Sequence, residues 1–155
     1  MVSPFNTRRK INSLIDKEIK NAKNDEEAYI YLKINNLVDS KIIKKLYEAS
    51  KAGVKIYAVV RGICALVPGV KGVSENIEVR SVVGRYLEHS RIIIFANGGN
   101  EKYYISSADW MGRNLDRRIE VTAPVHDPEI QSELKFMIEA ALNDNTKSRF
   151  IDVYQ

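Results

Sequence analysis

Apolar positions recur along this chain in two distinct rhythms. Ile11, Leu14, Ile15, Ile19 and Ala22 fall three or four residues apart, with lysines and acids between them. That spacing predicts a helix with one packed face and one solvated face, capped by Asn6 or Thr7. It returns at Ile42, Ile43, Leu46, Ala49 and Ser50, behind a capping Asp39 and ahead of Gly53. A third helix is predicted behind Asp127-Pro128, with Ile130, Leu134, Met137, Ile138 and Ala141 on its buried face. Between the helices the period drops. Residues 28–34, 54–60, 77–82, 91–95, 102–105 and 118–123 are short runs rich in Val, Ile and Tyr and read as strands, the last one stopped at Pro124.

The order strand, helix, strand over residues 28–60 predicts two parallel neighbours joined by a crossover helix. Asn97-Gly98-Gly99-Asn100 predicts an antiparallel hairpin. The expected fold class is therefore α/β, a mixed sheet with the first, second and last long helices packed on its faces. Residues 63–76 form a long loop punctuated by Pro68-Gly69 and Gly72. Its apolar content argues against disorder, so it is expected to pack over a site or against a partner. The tail from Asn143 carries no strong pattern.

Composition narrows the class. A chain of 155 residues, 45% hydrophobic and 28% charged, is long enough for one domain with its own core. No apolar run approaches the ~20 residues that span a bilayer, so no membrane insertion is expected. The first residues hold no apolar leader core, and the one cysteine, Cys64, excludes an internal disulfide. Both fit a cytoplasmic protein. The net charge of +4 favours anionic partners without choosing among them, and one cysteine with two histidines makes no zinc site.

Candidate chemistry gathers around His89. It precedes the run Ile92-Ile93-Ile94-Phe95, too apolar to be exposed on either face, so the imidazole is fixed beside a packed sheet. A histidine there is either structural or catalytic. Arg85 and Arg91 flank it, Arg61 ends the strand 54–60 just before Gly62, and Arg113, Arg117 and Arg118 lie near other strand ends. Guanidiniums gathered around an imidazole need an anion to offset their repulsion, which points to phosphate. The carboxyl ends of parallel strands are also where open α/β sheets bind ligands. Asn35 and Asn36 end the strand 28–34 and suit either a ligand or a turn.

His89-Ser90-Arg91, a hairpin, and then Ser106-Ser107-Ala108-Asp109 resemble a phospholipase D half-site, with three departures. Arg91 stands where that family has lysine, Asp109 where it has asparagine, and Ala96 where it has aspartate. A second resemblance absorbs them. Asn35-Asn36-Leu37-Val38-Asp39, Arg61-Gly62-Ile63-Cys64, Val67-Pro68-Gly69, Ser74-Glu75-Asn76-Ile77, Arg85-Tyr86-Leu87-Glu88-His89-Ser90-Arg91 and Ser106-Ser107-Ala108-Asp109-Trp110-Met111 with Arg113-Asn114 look like the C-terminal domain of the histidine-phosphorylating polyphosphate kinase.

That resemblance implies a phospholipase D-like domain and a reversible transfer of the terminal phosphate of ATP to polyphosphate through a phosphohistidine. It implies ATP or ADP and polyphosphate as ligands, Mg²⁺ held by ligands outside this chain, and a homo-oligomeric full enzyme. The phosphohistidine would lie in a preceding catalytic domain of the same polypeptide, so the Met1-Val2-Ser3 start is expected to mark an excised fragment that is inactive alone. Arg61 is implied as a ligand to nucleotide phosphates and His89 as the second active-site histidine. Arg91, Arg113 and Arg118 are further candidates by proximity in sequence, equally suited to surface or packing roles. Two rival readings stay open: a phospholipase D-like phosphodiesterase or nuclease half-site, and a non-catalytic phosphate- or nucleic-acid-binding module.

Overall fold

The computed structural model describes residues 1–82, 89–144 and 148–152. In chain order its elements are β1 (Val2–Ser3), α1 (Thr7–Lys23), β2 (Tyr29–Ile34), α2 (Ser40–Lys51), β3 (Lys55–Val60), β4 (Ile77–Val82), β5 (Ile92–Phe95), β6 (Lys102–Ser106), α3 (Gly112–Asp116), β7 (Glu120–Val125), α4 (Pro128–Asn143) and β8 (Ser148–Ile151). The strands form one mixed sheet in the order β1-β7-β6-β5-β2-β3-β4-β8, with β2, β3 and β4 parallel and the remaining pairings antiparallel.

Alternation along β2 sorts the two faces. Ile30, Leu32 and Ile34 join Ile11 and Ile15 of α1 and Ile42 and Leu46 of α2 in the larger core. Tyr31 faces the other way, with Val59, Ile92, Ile94 and Tyr103, where Ile138 and Leu142 of α4 cover them. All four residues of β5 are buried, as expected of a central strand covered by helices on both faces. Caps set the helix starts. Asp39 accepts from the Ile42 N–H, and Asp127 accepts from the Glu129 and Ile130 N–H groups with Pro128 next to it. Arg8 grips Asp39 with one side of its guanidinium fork and Asp116 with the other, at 2.6–2.8 Å, tying α1 to the starts of α2 and the end of α3.

Several expectations need correction. The Asn6 side chain does not cap α1; it turns back to accept from the Val2 N–H. Pro124 does not end β7. The Thr122 N–H points outward to the Met1 carbonyl, so two residues on the Pro124 nitrogen also points outward, past the end of β1, where a missing N–H breaks no ladder bond. Arg118 and Ile119 precede β7 rather than belonging to it, and the polar turn before them contains the one-turn helix α3. Ile130 and Met137 do not line the buried face of α4; both are largely exposed, and Leu134, Ile138, Ala141 and Leu142 pack instead. β1 and β8 are added edge strands. Residues 63–76 begin at the carboxyl end of the sheet, where the Ile63 N–H donates to Asn36 Oδ1, and then run along α2, with Leu66 buried in the larger core and the Val67 N–H donating to the Tyr47 hydroxyl. The hairpin turn forms as read, with Gly98 and Gly99 at φ 66° and 87°, a region that suits glycine. Arg85 and the residues around it, 83–88, lie outside the described residues, and so does the tail beyond 152.

One acid expected on the solvated face of α1 is buried. Glu18 is 1% exposed, accepts a 2.7 Å hydrogen bond from the Asn97 N–H, and leaves its second oxygen without a partner. Burial pushes its carboxyl up to about 7, against the opposing pull of the Asn97 and Tyr29 N–H groups. The folded chain therefore keeps a proton that the unfolded chain releases above its ordinary value of 4.5, so this stabilisation is full below 4.5 and is lost as pH rises through about 7. Denaturant titrations across that window should show stability falling with pH, and Glu18→Gln should flatten the fall; equal slopes in both proteins would refute it.

Candidate active site

The paired strands β2 and β3 run level to Ile34 and Val60 and lead into Asn35 and Arg61, where the Arg61 N–H still donates to the Ile34 carbonyl at 3.2 Å. The two chains stay closely joined there. The Gly62 N–H donates to the Asn35 carbonyl at 2.7 Å, and a Cβ on Gly62 would lie 2.8 Å from Asn36 Oδ1 and 3.0 Å from the Asn35 oxygen. Glycine is needed here because the neighbouring strand end occupies the space of a side chain.

Asp109 arrives from the turn after β6 and fills the notch. Its Oδ1 accepts from the backbone N–H groups of Asn35 and Asn36 at 3.0 and 3.2 Å, and its Oδ2 from Asn36 Nδ2 at 3.0 Å. Arg91 Nε adds a 2.9 Å ion pair from the start of β5. The carboxylate is 5% exposed. Burial alone would raise its pKa, but the hydrogen bonds from Arg91 and Asn36 and the Arg91 charge outweigh it and hold the carboxyl below the usual range. Trp110 continues the lock: its N–H donates to the Asn36 carbonyl, and its own carbonyl accepts from Val38 and Asp39.

Arg91 then reaches back. Its Nη1 donates to the His89 carbonyl at 3.0 Å, and the His89 ring meets Asn35, Nδ1 to Nδ2, at 3.2 Å. Asp109, Arg91, His89 and Asn35 thus close a ring of contacts around the mouth of the sheet. Beside it opens a cavity of about 360 Å³. Lys33, Asn35, Arg61 and Ser90 supply its polar side together with the carboxylate of Asp144, and Phe136, Met137 and Ala140 of α4 are on its apolar side. Lys33 is 8% exposed and its Nζ donates to Ser90 Oγ at 2.6 Å, so the ammonium is carried to the cavity on a buried stem.

The residues singled out from sequence therefore divide. Arg61 lines the cavity, and His89 does not line it but contacts Asn35, which does. Arg91 is directed at Asp109 and the His89 backbone rather than at the cavity. Arg113 and Arg118 are exposed on and after α3 and make no side-chain hydrogen bond or ion pair among the described residues. His126 is exposed at the far end of β7, away from the site. Lys33 was missed, and its one signal was a charge inside the apolar run 29–34. Asp109 was noticed only as a departure from asparagine. The described residues contain no group of three or more His, Cys, Asp or Glu side chains that could hold a metal ion, and the Asp109 oxygens are already taken by donors, so magnesium does not fit this part of the site. Among the described residues no helix is long and apolar enough to cross a membrane.

Comparisons with known proteins bear on the family and the fold. A polyphosphate kinase from Vibrio parahaemolyticus serotype O3:K6 is 53% identical over 152 residues, which are 98% of this chain and 22% of that protein. The chain therefore spans about a fifth of the length of such relatives. The crystal structure of a Porphyromonas gingivalis polyphosphate kinase superposes with a TM-score of 0.96 at 48% identity, covering 99% of this chain and 24% of that one. Nuc from Salmonella typhimurium, a phospholipase D family member, matches at TM-score 0.67 and 16% identity over 97% of this chain and 95% of its own, and so shows the phospholipase D-like fold alone. The family model of the polyphosphate kinase C-terminal domain 2 matches residues 1–155, and the chain belongs to that family.

Proposed function

We propose that this chain is the nucleotide-binding half of a polyphosphate kinase active site. The observation that carries the reading is that Arg61 and the buried Lys33 line one cavity, and that His89 contacts Asn35 in its wall. In phosphoryl transfer the protein mostly positions the reactants and stabilises charge spread over the non-bridging oxygens. Arg61 suits that task with a permanent charge and a planar fork that matches phosphate, and Lys33 adds a compact charge from the neighbouring strand. The apolar wall from α4 suits the uncharged part of a nucleotide better than bare polyphosphate. His89 would donate to an oxygen of the transferring phosphate. In this reading the phosphohistidine belongs to a preceding domain of the same polypeptide, and magnesium comes with the phosphates through ligands outside this chain.

A phosphodiesterase half-site is less well supported. Its basic residue would be Arg91, which is paired with Asp109, and its acid would stand at Ala96, a fully buried methyl group.

Calorimetric titration of this chain with ATP and with tripolyphosphate, DNA serving as competitor, tests the assignment. Binding of both phosphates that DNA does not displace is expected, and Lys33→Met should weaken it roughly tenfold, ~1.4 kcal/mol. In the complete enzyme Arg61→Ala should lower turnover on the order of a hundredfold, ~3 kcal/mol, with Lys restoring only part. His89→Ala should also depress turnover, and His126→Ala should leave it near wild type. Preferential binding of DNA, or a folded Arg61→Ala enzyme of full activity, would overturn the reading.

A further inference from the structure

We infer that Asn35 is a positioning residue that holds His89 in the tautomer with its proton on Nε2, so that the imidazole offers a phosphate oxygen a donor rather than a lone pair. The inference rests on the phosphate-binding reading of the cavity and says how His89 serves it.

The contact between Asn35 Nδ2 and His89 Nδ1 is 3.2 Å. An amide nitrogen only donates, so the Nδ1 it meets must be the bare, accepting nitrogen, and in a neutral ring the proton then sits on Nε2. The pair has little freedom to rearrange. Asn35 is 8% exposed and its backbone N–H is fixed on Asp109 Oδ1 at 3.0 Å. The His89 backbone is fixed through its carbonyl on Arg91 Nη1, and Arg91 is paired with that same Asp109 oxygen. Both ends of the contact therefore hang from one carboxylate.

The chemistry of residue 35 decides what the ring can do. A histidine that attacks phosphorus through Nε2 needs its lone pair there and its proton on Nδ1, which a carboxylate or carbonyl partner would hold. Asn35 supplies the opposite partner. It keeps Nε2 protonated without adding charge, so His89 can hydrogen-bond a non-bridging oxygen while Arg61 and Lys33 supply the positive charge. This separates His89 from a nucleophilic role by the identity of its neighbour.

The amide of an asparagine can be turned over, and the nitrogen and oxygen exchanged, so the test reads the proton itself. The ¹⁵N spectrum of this chain with labelled histidine, recorded well above the ordinary imidazole range near pH 6.5, distinguishes the two ring nitrogens. His89→Gln assigns the signals, and exposed His126 is the internal reference for an unconstrained ring. The expected result is a more complete Nε2–H tautomer at His89 than at His126, relaxing toward the His126 mixture in Asn35→Ala and reversing to Nδ1–H in Asn35→Asp. A wild-type His89 carrying its proton on Nδ1, or a folded Asn35→Asp chain with the tautomer unchanged, would overturn the inference. Added tripolyphosphate should then perturb Nε2 more than Nδ1. The wild-type tautomer is read without ligand, so the expected tautomer with no response to tripolyphosphate would remove the phosphate-binding reading and leave the Asn35 contact standing.

Discussion

The carboxylate of Asp109 is the contact on which the rest of the site hangs. It takes donors from the end of β2, from the Asn36 side chain and from Arg91 at the start of β5, segments that are far apart in sequence. A buried carboxylate is costly unless its oxygens are filled by donors and its charge is paired, and here both conditions are met. The consequence is positional. At the mouth of the sheet, past the last regular pair of β2 and β3, backbone hydrogen bonds continue through Gly62, Leu37 and Ala65, and the Asp109 carboxylate ties that stretch to Arg91 and β5.

That fixed mouth explains the division of charge. Arg91 would compete for phosphate if it were turned toward the cavity, but it neutralises Asp109 and holds the His89 backbone. The positive charge that faces the cavity comes from Arg61, at the end of β3, and from Lys33, inside β2. Lys33 stands on a strand, and Arg61 is the first residue after one, its N–H bonded to the Ile34 carbonyl. Errors of an ångström in the placement of such groups cost large factors in rate, so cations held this way suit a phosphate that must be aligned. The far end of the sheet is held by a different device, the buried Glu18 carboxyl that joins α1 to the β5–β6 turn.

Much of this was legible in the chain. The β-branched runs, the Asp127-Pro128 start and the Gly98-Gly99 turn each carry a local physical cause, and the structure has a strand, a helix and a hairpin there. Arg61 was legible because strand composition stops at it. What stayed hidden depends on distant partners. Asp109 looked like a substitution in a turn until Asn35, Asn36 and Arg91 were seen to converge on it. Lys33 sat in a run read by its hydrophobic neighbours, although a charge in a buried strand is itself unusual. Glu18 fell on a helix whose one other acid, Asp16, is exposed, and its backbone partner Asn97 lies far along the chain. The edge strands β1 and β8 are too short to show a period, and only their pairing with β7 and β4 defines them.

If Asp109 organises the site, removing its charge should harm anion binding, although simple electrostatics says the reverse. Calorimetric titration of folded Asp109→Asn with tripolyphosphate separates the two. The variant is one unit more positive and keeps the side-chain shape, so a merely electrostatic site would bind tripolyphosphate more tightly. The present account predicts binding weaker by roughly tenfold or more, on the scale of ~1.4 kcal/mol per factor of ten, because Arg91, His89 and Asn35 lose their common anchor. Unchanged or tighter binding by the folded variant would contradict it.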